Sequence, residues 1–251
     1  MIKLTVLGSG TSIPSHRNSP AHLVQCDDLS LLLDCGSGCT TGLFRAGVAL
    51  DRLGGIMLSH RHPDHTAGLV PLLFALVNPV HPPRQTDLPI WGPPGIEAHL
   101  EALSRVYGSW IKPRTCSVPP QELADRQVLE LGPLKITAFA VQHSGVSFAY
   151  RIDGPGASLC FSGDSGMCEA LEQAAREVDL LLCECAALED EEVASHLSAT
   201  QVGQLAAAAR CRRVVLTHLY PHVEATDPLP RVRRHYDGPV ELAEDGAAYS
   251  V

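Results

Sequence analysis

The chain of 251 residues has no uninterrupted apolar run long enough to cross a membrane. A transmembrane helix needs about 20 mostly apolar residues, and Pro71, Asn78 and Pro79 interrupt the most apolar stretch. The first seven residues have the pattern of a strand and lack the apolar region and cleavage site of a signal peptide. We therefore expect a cytoplasmic protein with no membrane partner.

CxxC pairs are also absent from the chain. The nine cysteines are an odd number and are scattered along the sequence. This distribution argues against a disulfide framework and against a structural zinc site built from cysteine. Most of the cysteines are therefore expected to be small, buried apolar residues.

Positive charge is scarce, because 19 Lys and Arg stand against 28 Asp and Glu, for a net charge of −9. This balance disfavours nucleic acid as a partner without excluding it, since a small basic patch can exist within an acidic total. The 45% hydrophobic and 19% charged residues are typical of a soluble globular enzyme. No repeat or linker divides the chain, so one domain over residues 1–251 is expected.

Three histidines and an aspartate follow a short apolar run at 54–58. His60, His62, Asp64 and His65 fall within six positions, a density typical of metal ligands. His60 and His62 lie two apart at a strand end, so their side chains point the same way and can bind one ion. The chain then turns at a proline, and Asp64 and His65 suit a second ion beside the first. Asp64 could instead serve only as a helix N-cap.

Three further candidate ligands, His143, Asp164 and His218, stand at the ends of apolar strands. This is the same placement as that of His60, which favours a shared site. Glycines flank Asp164 and let another atom approach closely. Two alternatives remain, because a lone strand-end histidine such as His143 is commonly structural, and Asp164 could be the N-cap of a helix predicted over 167–178.

Three more polar residues are placed to support such a site. Glu184 ends a buried strand, where alternation sends Cys183 and Cys185 to the opposite face. His196 stands just before a capping box that starts a helix. Asp34 ends an all-apolar strand and needs a partner: it either orients a ligand histidine or accepts backbone N–H bonds in the following turn.

Two loops have an open role. The turn at 8–12 contains glycines but not the GxGxxG pattern, and it is either a tight turn or a nest for phosphate. Arg17, in the loop that follows, either meets an anionic substrate or is solvated. The segment 108–126, which contains Trp110, is either a lid over the site, a partner surface or a plain surface loop.

The ordered set of strand-end residues resembles the metallo-β-lactamase superfamily, and within it the ribonuclease Z branch and its small phosphodiesterase relatives. The resemblance covers nearly the whole length, through the segments LGSGTSIP, LLLDCGSG, LSHRHPDHTAGL, WGPPGI, FSGDSG, LLCECA and LTHLYP. It implies an α/β (α+β) fold, the four-layer αβ/βα metallo-β-lactamase sandwich, with a two-metal site along one edge of the sheets. Runs of strands early in the chain and alternating helices later agree with sheets covered by helices.

The resemblance also implies a site for two zinc ions, with manganese as the alternative metal. Seven residues would be the ligands: His60, His62 and His143 on one ion, Asp64, His65 and His218 on the other, and Asp164 between both. Asp64 would also hold the attacking hydroxide, His196 would contact the phosphate or protonate the leaving oxygen, and Glu184 would support His196. Asp34 resembles the family's buried aspartate near the metals.

One departure from true ribonuclease Z bears on the substrate. Asp164 follows His143 by only 21 positions, which already hold two strands, so the family's tRNA-gripping arm has no room there. We therefore predict a dinuclear-zinc phosphodiesterase that cleaves small or cyclic phosphodiesters by attack of a metal-bound hydroxide. The alternatives are a tRNA 3′ endonuclease of the ribonuclease Z type, a lactone, thioester or amide hydrolase on the same fold, and a non-catalytic metal sensor. The resemblance also allows for a homodimer.

Overall fold

The computed structural model describes residues 1–78, 83–188 and 195–251. Its strands in chain order are β1 (Lys3–Gly8), β2 (Ala21–Cys26), β3 (Leu29–Leu33), β4 (Gly55–Met57), β5 (Ile90–Gly92), β6 (Pro120–Glu122), β7 (Val128–Leu131), β8 (Leu134–Val141), β9 (Ser147–Gly154), β10 (Ala157–Phe161), β11 (Leu180–Glu184), β12 (Val214–Thr217), β13 (Val240–Leu242) and β14 (Ala248–Ser250). Its α-helices are α1 (Cys39–Arg45), α2 (Pro63–Thr66), α3 (Leu69–Val77), α4 (Ile96–Tyr107), α5 (Glu169–Ala175), α6 (Ala199–Ala208), α7 (Pro221–Ala225) and α8 (Leu229–Val232).

The strands form two seven-stranded sheets, in the orders β14-β1-β2-β3-β4-β5-β6 and β13-β12-β11-β10-β9-β8-β7. In the first sheet, β14 to β3 pair antiparallel and β3 to β6 pair parallel. In the second, β7 to β10 pair antiparallel and β10 to β13 pair parallel. The first and last strands of the chain, β1 and β14, are neighbours in one sheet.

Three apolar layers hold the architecture together. One lies between the two sheets and includes Leu33 and Phe148. A second lies between the first sheet and α1, α3 and α4, and a third lies between the second sheet and α5, α6 and α8. Helix, sheet, sheet and helix therefore stack as four layers, which is the predicted αβ/βα sandwich. Within the described ranges, no helix is long and apolar enough to cross a membrane.

Period-two alternation decides which residues of the central strands face the other sheet. In β11, Leu180 and Leu182 join the layer between the sheets, while Leu181 and Cys183 face the helices. Cys183 and Cys185 thus lie on the face opposite Glu184, as predicted. All three side chains are buried, so the carboxylate of Glu184 must find its partners inside the protein.

Three element predictions are wrong in part. The apolar run after the metal motif predicts one helix over 67–77, but α3 begins at Leu69 and a separate short helix, α2, precedes it. The helix predicted over 167–178 is the shorter α5. The segment 108–126 contains a 3₁₀ turn (Gly108–Ile111) and the strand β6. Strand β6 begins with proline, which an edge strand tolerates, and it exists because it pairs with β5 rather than because of an apolar pattern. An acidic, solvated loop predicted over 189–192 lies outside the described residues.

Candidate metal centre

The candidate ligands meet because the strands that precede them end at one edge of the two sheets. His60 follows β4 and His218 follows β12, each at the carboxyl end of parallel strands. Asp164 follows β10, and His143 follows β8, which runs in the same direction as β10 because β9 lies between them and pairs antiparallel with both. The edge outside the carboxyl ends of parallel strands is where α/β sheets commonly bind ligands. All seven predicted metal ligands lie there.

A first group of donors consists of His60, His62, His143 and Asp164, whose ligand atoms all lie within 4.8 Å of one another. Nε2 of His143 is 3.3 Å from Nδ1 of His62. Nε2 of His60 is 3.6 Å from Oδ2 of Asp164. Three imidazoles and a carboxylate that converge in this way match the donor set of a zinc ion.

A second group consists of Asp64, His65 and His218, again with ligand atoms within 4.8 Å of one another. Nε2 of His218 lies 3.3 Å from Oδ2 of Asp64. Asp164 joins this group as well, since its two oxygens are 3.3 Å from Nε2 of His65 and 3.4 Å from Nε2 of His218. The carboxylate of Asp164 therefore stands between the two groups, as the bridging role requires.

Buried polar atoms in the centre support the fit of a cation. Nε2 of His60, Nε2 of His65 and Oδ1 of Asp164 are buried, and within the described ranges none has a hydrogen-bond partner. A buried donor or acceptor left unsatisfied costs about 1–3 kcal/mol. These atoms converge on one region, so two metal ions, one in each donor group, would satisfy all three. Nitrogen and carboxylate donors suit zinc and also manganese.

The surroundings of two candidate ligand histidines, His60 and His65, shift their pKa values in opposite directions. Burial, followed by the charge of His65, lowers the pKa of His60 to about 2, so its imidazole is neutral. Burial opposes a charge on His65 too, but Asp164 and Asp34 raise its pKa well above the usual value. Carboxylates at this position favour any cation, either a proton or a metal ion.

Asp64 is ionised at neutral pH. Burial alone would raise the pKa of this carboxyl, but the hydrogen bond with His218 and the charges of His65 and His218 bring it down to about 2. Helix α2 begins at Pro63 and its N-cap position is His62, so Asp64 lies inside the helix and is not the N-cap. Asp164 is not one either, because the N-cap of α5 is Cys168.

Asp34 supports the centre from behind. Its Oδ2 is 2.6 Å from Nδ1 of His65 and accepts a hydrogen bond from the hydroxyl of Ser59 at 2.8 Å. Its Oδ1 accepts the backbone N–H of Ser59 at 2.7 Å. Asp34 therefore orients a candidate ligand histidine, and the backbone N–H that it accepts comes from the residues after β4 rather than from its own turn.

His196 faces the same region from the loop before α6. Its Nδ1 is 3.0 Å from Oε2 of Glu184, and Glu184 also accepts the backbone N–H of Ser165 at 2.6 Å. The ring of His196 stacks on that of His218, with centroids 5.7 Å apart. The predicted capping box after His196 is present and anchors this loop to α6. Glu184 thus holds one ring nitrogen and leaves the other directed at the donor groups.

Two residues were misjudged or missed. Arg17 is 8% exposed and pairs with Glu224, Ser9 and the carbonyl of Ala243, so it is neither solvated nor free for a substrate. Ser59 was missed, although it directly precedes His60 in the motif and its hydroxyl is 3.0 Å from Nδ1 of His60. A short polar residue between an apolar strand and the first ligand was the available signal.

Comparison with known proteins places the chain in a family. The family described as "Beta-lactamase superfamily domain" matches residues 30–219, which include every candidate ligand. This chain belongs to that superfamily. Together with the four layers and a relative named a metallo-hydrolase, the match confirms the predicted metallo-β-lactamase fold and a metallo-hydrolase.

Two relatives are similar over almost their whole length. "Probable metallo-hydrolase YhfI" of Bacillus subtilis (strain 168) is 30% identical over 98% of this chain and 98% of its own. "Ribonuclease Z" of Bradyrhizobium sp. (strain ORS 278) is 28% identical over 89% of this superfamily member and 92% of its own length. The crystal structure of Bacillus subtilis YhfI covers 99% of the chain with a TM-score of 0.84 at 28% identity, and covers 98% of its own chain. Human tRNase Z, short form, shares the fold with a TM-score of 0.79 at 22% identity, covering 99% and 98% of the two chains.

Proposed function

We propose that this protein is a dinuclear, metal-dependent phosphodiesterase that cleaves small or cyclic phosphodiesters. The observation that carries the proposal is the position of Asp164. Its two carboxylate oxygens lie 3.3 Å from His65 and 3.4 Å from His218, which both belong to the second donor group. Its Oδ2 also lies 3.6 Å from His60 of the first group. An arrangement with one carboxylate between two donor groups suits two ions a few Å apart.

The first ion would be held by His60, His62 and His143, the second by Asp64, His65 and His218, with Asp164 shared. Zinc is the proposed metal and manganese the alternative. When bound, such a pair supplies Lewis-acid activation of the phosphoryl group and of a water molecule. The remaining chemistry belongs to the side chains around the pair.

His196 is the proposed general acid. Burial lowers the pKa of its imidazole, but the hydrogen bond to Glu184 and the charge of Glu184 outweigh burial and raise it above the usual value. The imidazole of His196 therefore keeps its proton to a higher pH than a free histidine does. Because Glu184 holds Nδ1, the proton available for transfer is on Nε2, which would be given to the leaving alkoxide oxygen.

Asp64 is the proposed orienting base. Its carboxylate is ionised at neutral pH and its side chain is 17% exposed, so it can accept a hydrogen bond from a water molecule at the mouth of the site. Holding that water in line with phosphorus would reduce the entropy cost of the attack. Asp64 would thus act both as a ligand and as a positioning group for the nucleophile.

The proposed size of the substrate rests on the connection between His143 and Asp164. Strands β9 and β10 occupy this connection and belong to the second sheet, which supports a site without a tRNA-binding arm. The ribonuclease Z relative favours tRNA 3′ processing as the second candidate, through its 28% identity over 89% of the chain. Both candidates break a phosphodiester bond and differ in the length of the substrate.

A substrate panel on zinc- and manganese-loaded protein tests the proposal. The panel contains bis(p-nitrophenyl) phosphate, cyclic AMP, a 2′,3′-cyclic nucleotide, a precursor tRNA and a lactone, with His196→Ala as the control variant. Turnover of the small diesters alone is the expected result, with turnover of the cyclic nucleotides lost in the variant. Cleavage of the precursor tRNA would favour the second candidate, and turnover of the lactone alone would rule out a phosphodiesterase.

A further inference from the structure

A cleft of about 450 Å³ lies beside the metal motif, between two helical faces. One wall is α4, where His99, Leu103 and Tyr107 follow one another at intervals of four residues and so share one face. The opposite wall is formed by α2 and α3 and includes Pro63 and Val70. Its volume falls in the range of pockets that bind small molecules, about 300–1,000 Å³.

Arg61 is the residue of the cleft lining that belongs to the metal motif itself. In the chain it stands between His60 and His62, so the cleft begins one residue away from the first group. Its guanidinium lies against the start of α4, because a Cβ placed on Gly95 would be 2.9 Å from Nη1 of Arg61. Among the residues that the structure describes, Arg61 makes no ion pair and no hydrogen bond, so its planar cation is available to a ligand.

The chemistry of the lining points to one kind of ligand. The cleft has an aromatic ring in Tyr107, an imidazole in His99, a guanidinium in Arg61 and otherwise mainly apolar walls, and the described lining includes no carboxylate. Burial, and then the charge of Arg61, lower the pKa of His99, so its ring is a neutral plane at neutral pH. Three planar groups over apolar walls suit a flat, uncharged aromatic ring, which stacks on rings and on guanidinium planes alike.

We propose that this cleft is the subsite for a planar aromatic group carried by the phosphodiester, such as a nucleobase, with Tyr107, His99 and Arg61 as its contacts. The inference rests on the proposed function, because it takes the scissile phosphate to lie on the donor groups next to Arg61. The subsite would select substrates by affinity, while His196 and Asp64 perform the reaction. It gives the chain a preference for nucleotide esters over esters of simple sugars.

The test compares two phosphate monoesters that differ in the base alone. Adenosine 5′-monophosphate and ribose 5-phosphate are titrated into zinc-loaded protein by calorimetry, and each dissociation constant is measured. Adenosine monophosphate is expected to bind roughly tenfold more tightly than ribose 5-phosphate, the size of one or two stacking contacts. Equal affinities of the intact protein for the two compounds, or binding of neither, would overturn the inference.

Variants on one helix assign the preference to the cleft. Tyr107→Ala is expected to remove most of the preference and Tyr107→Phe to keep it, because only the ring is needed. Val106→Ala is the matched control, since Val106 is the neighbouring residue on α4, is 74% exposed and is not part of the cleft lining. If Tyr107→Ala and Val106→Ala reduce the preference for adenosine monophosphate equally, the inference is also overturned.

Arg61→Ala is expected to weaken the binding of adenosine monophosphate more than the binding of ribose 5-phosphate, at an unchanged zinc content. A fall of both affinities by the same factor would show that Arg61 contacts only phosphate and would remove it from the subsite. The outcomes separate the two proposals. A protein that prefers adenosine monophosphate but hydrolyses no diester would keep the subsite and lose the reaction, whereas diester hydrolysis without the preference would do the reverse.

Discussion

Oδ2 of Asp34 lies 2.6 Å from Nδ1 of His65, and both side chains are almost fully buried. The same oxygen accepts the hydroxyl of Ser59, which is itself 3.0 Å from Nδ1 of His60. One carboxylate therefore holds the Nδ1 side of a histidine in each donor group and leaves both Nε2 atoms directed at the centre. A fixed tautomer and ring orientation are what a metal ligand requires.

Asp34→Asn should lower zinc affinity about 10- to 100-fold, the usual effect of removing a partner of a ligand histidine. The amide keeps the shape of the side chain but loses the charge that raises the pKa of His65 and favours a cation there. Competition with a chromophoric chelator measures the affinity. Asp237→Asn is the control, because Asp237 is exposed, and equal affinities of the two variants would contradict the role of Asp34.

His196→Ala should reduce kcat by about 100- to 10,000-fold for diesters with alkoxide leaving groups. The loss should be much smaller for bis(p-nitrophenyl) phosphate, because p-nitrophenolate leaves without a proton. Comparing kcat for this compound and for a cyclic nucleotide gives the measurement, with zinc content determined in parallel. Equal losses for both substrates would show that His196 does not act as the acid.

His22 should make the folded state sensitive to acid. Its ring packs edge-on against Phe161 with centroids 5.2 Å apart, and within the described ranges neither ring nitrogen has a hydrogen-bond partner. Burial, with contributions from His65 and His218, lowers the pKa of His22 from 6.5 to about 3. The unfolded chain therefore takes up a proton below pH 6.5 that the folded chain refuses, so this stability is complete above pH 6.5 and is lost toward pH 3.

His22→Leu should remove that dependence, which amounts to about 1.4 kcal/mol per pH unit. The free energy of unfolding is measured by urea titration at pH 7, 6 and 5 with a chelator present, so that metal binding does not contribute. His235→Leu provides the comparison, because His235 is exposed. The same pH slope in His22→Leu and in the unsubstituted chain would contradict the prediction.

Arg17→Met should destabilise the fold by about 2–3 kcal/mol, because charged hydrogen bonds are worth about 1.5–3 kcal/mol and Arg17 makes several inside the protein. The kcat of the zinc-loaded variant should not change, since all these partners are structural. Arg52→Met should change stability by less than about 0.5 kcal/mol, because the side chain of Arg52 is 84% exposed. A fall in kcat without loss of stability would contradict this prediction and indicate that Arg17 contacts the substrate.

Local patterns in the sequence predicted several elements to the residue. The apolar runs at 21–26 and 29–33, on either side of Asp27-Asp28, predict a hairpin of two strands, and β2 and β3 have these bounds. The capping box at Ser198 and Gln201 formed as predicted, since both hydrogen bonds join residues three apart. Strand β6 could not be predicted in this way, because it is stabilised by pairing with β5, in which Ile90 pairs with Pro120.

The sequence by itself determined which donors the protein has and that they stand at strand ends, because residue type and alternation are local properties. Only the tertiary structure decided how they meet: His143 comes within 3.3 Å of His62 because the edges of two different sheets meet there. The same holds for Asp34, whose partner is a histidine 31 residues away, and for Arg17, whose partner Glu224 is 207 residues away. Such contacts depend on the packing of sheets and helices and leave no periodic signal in the chain.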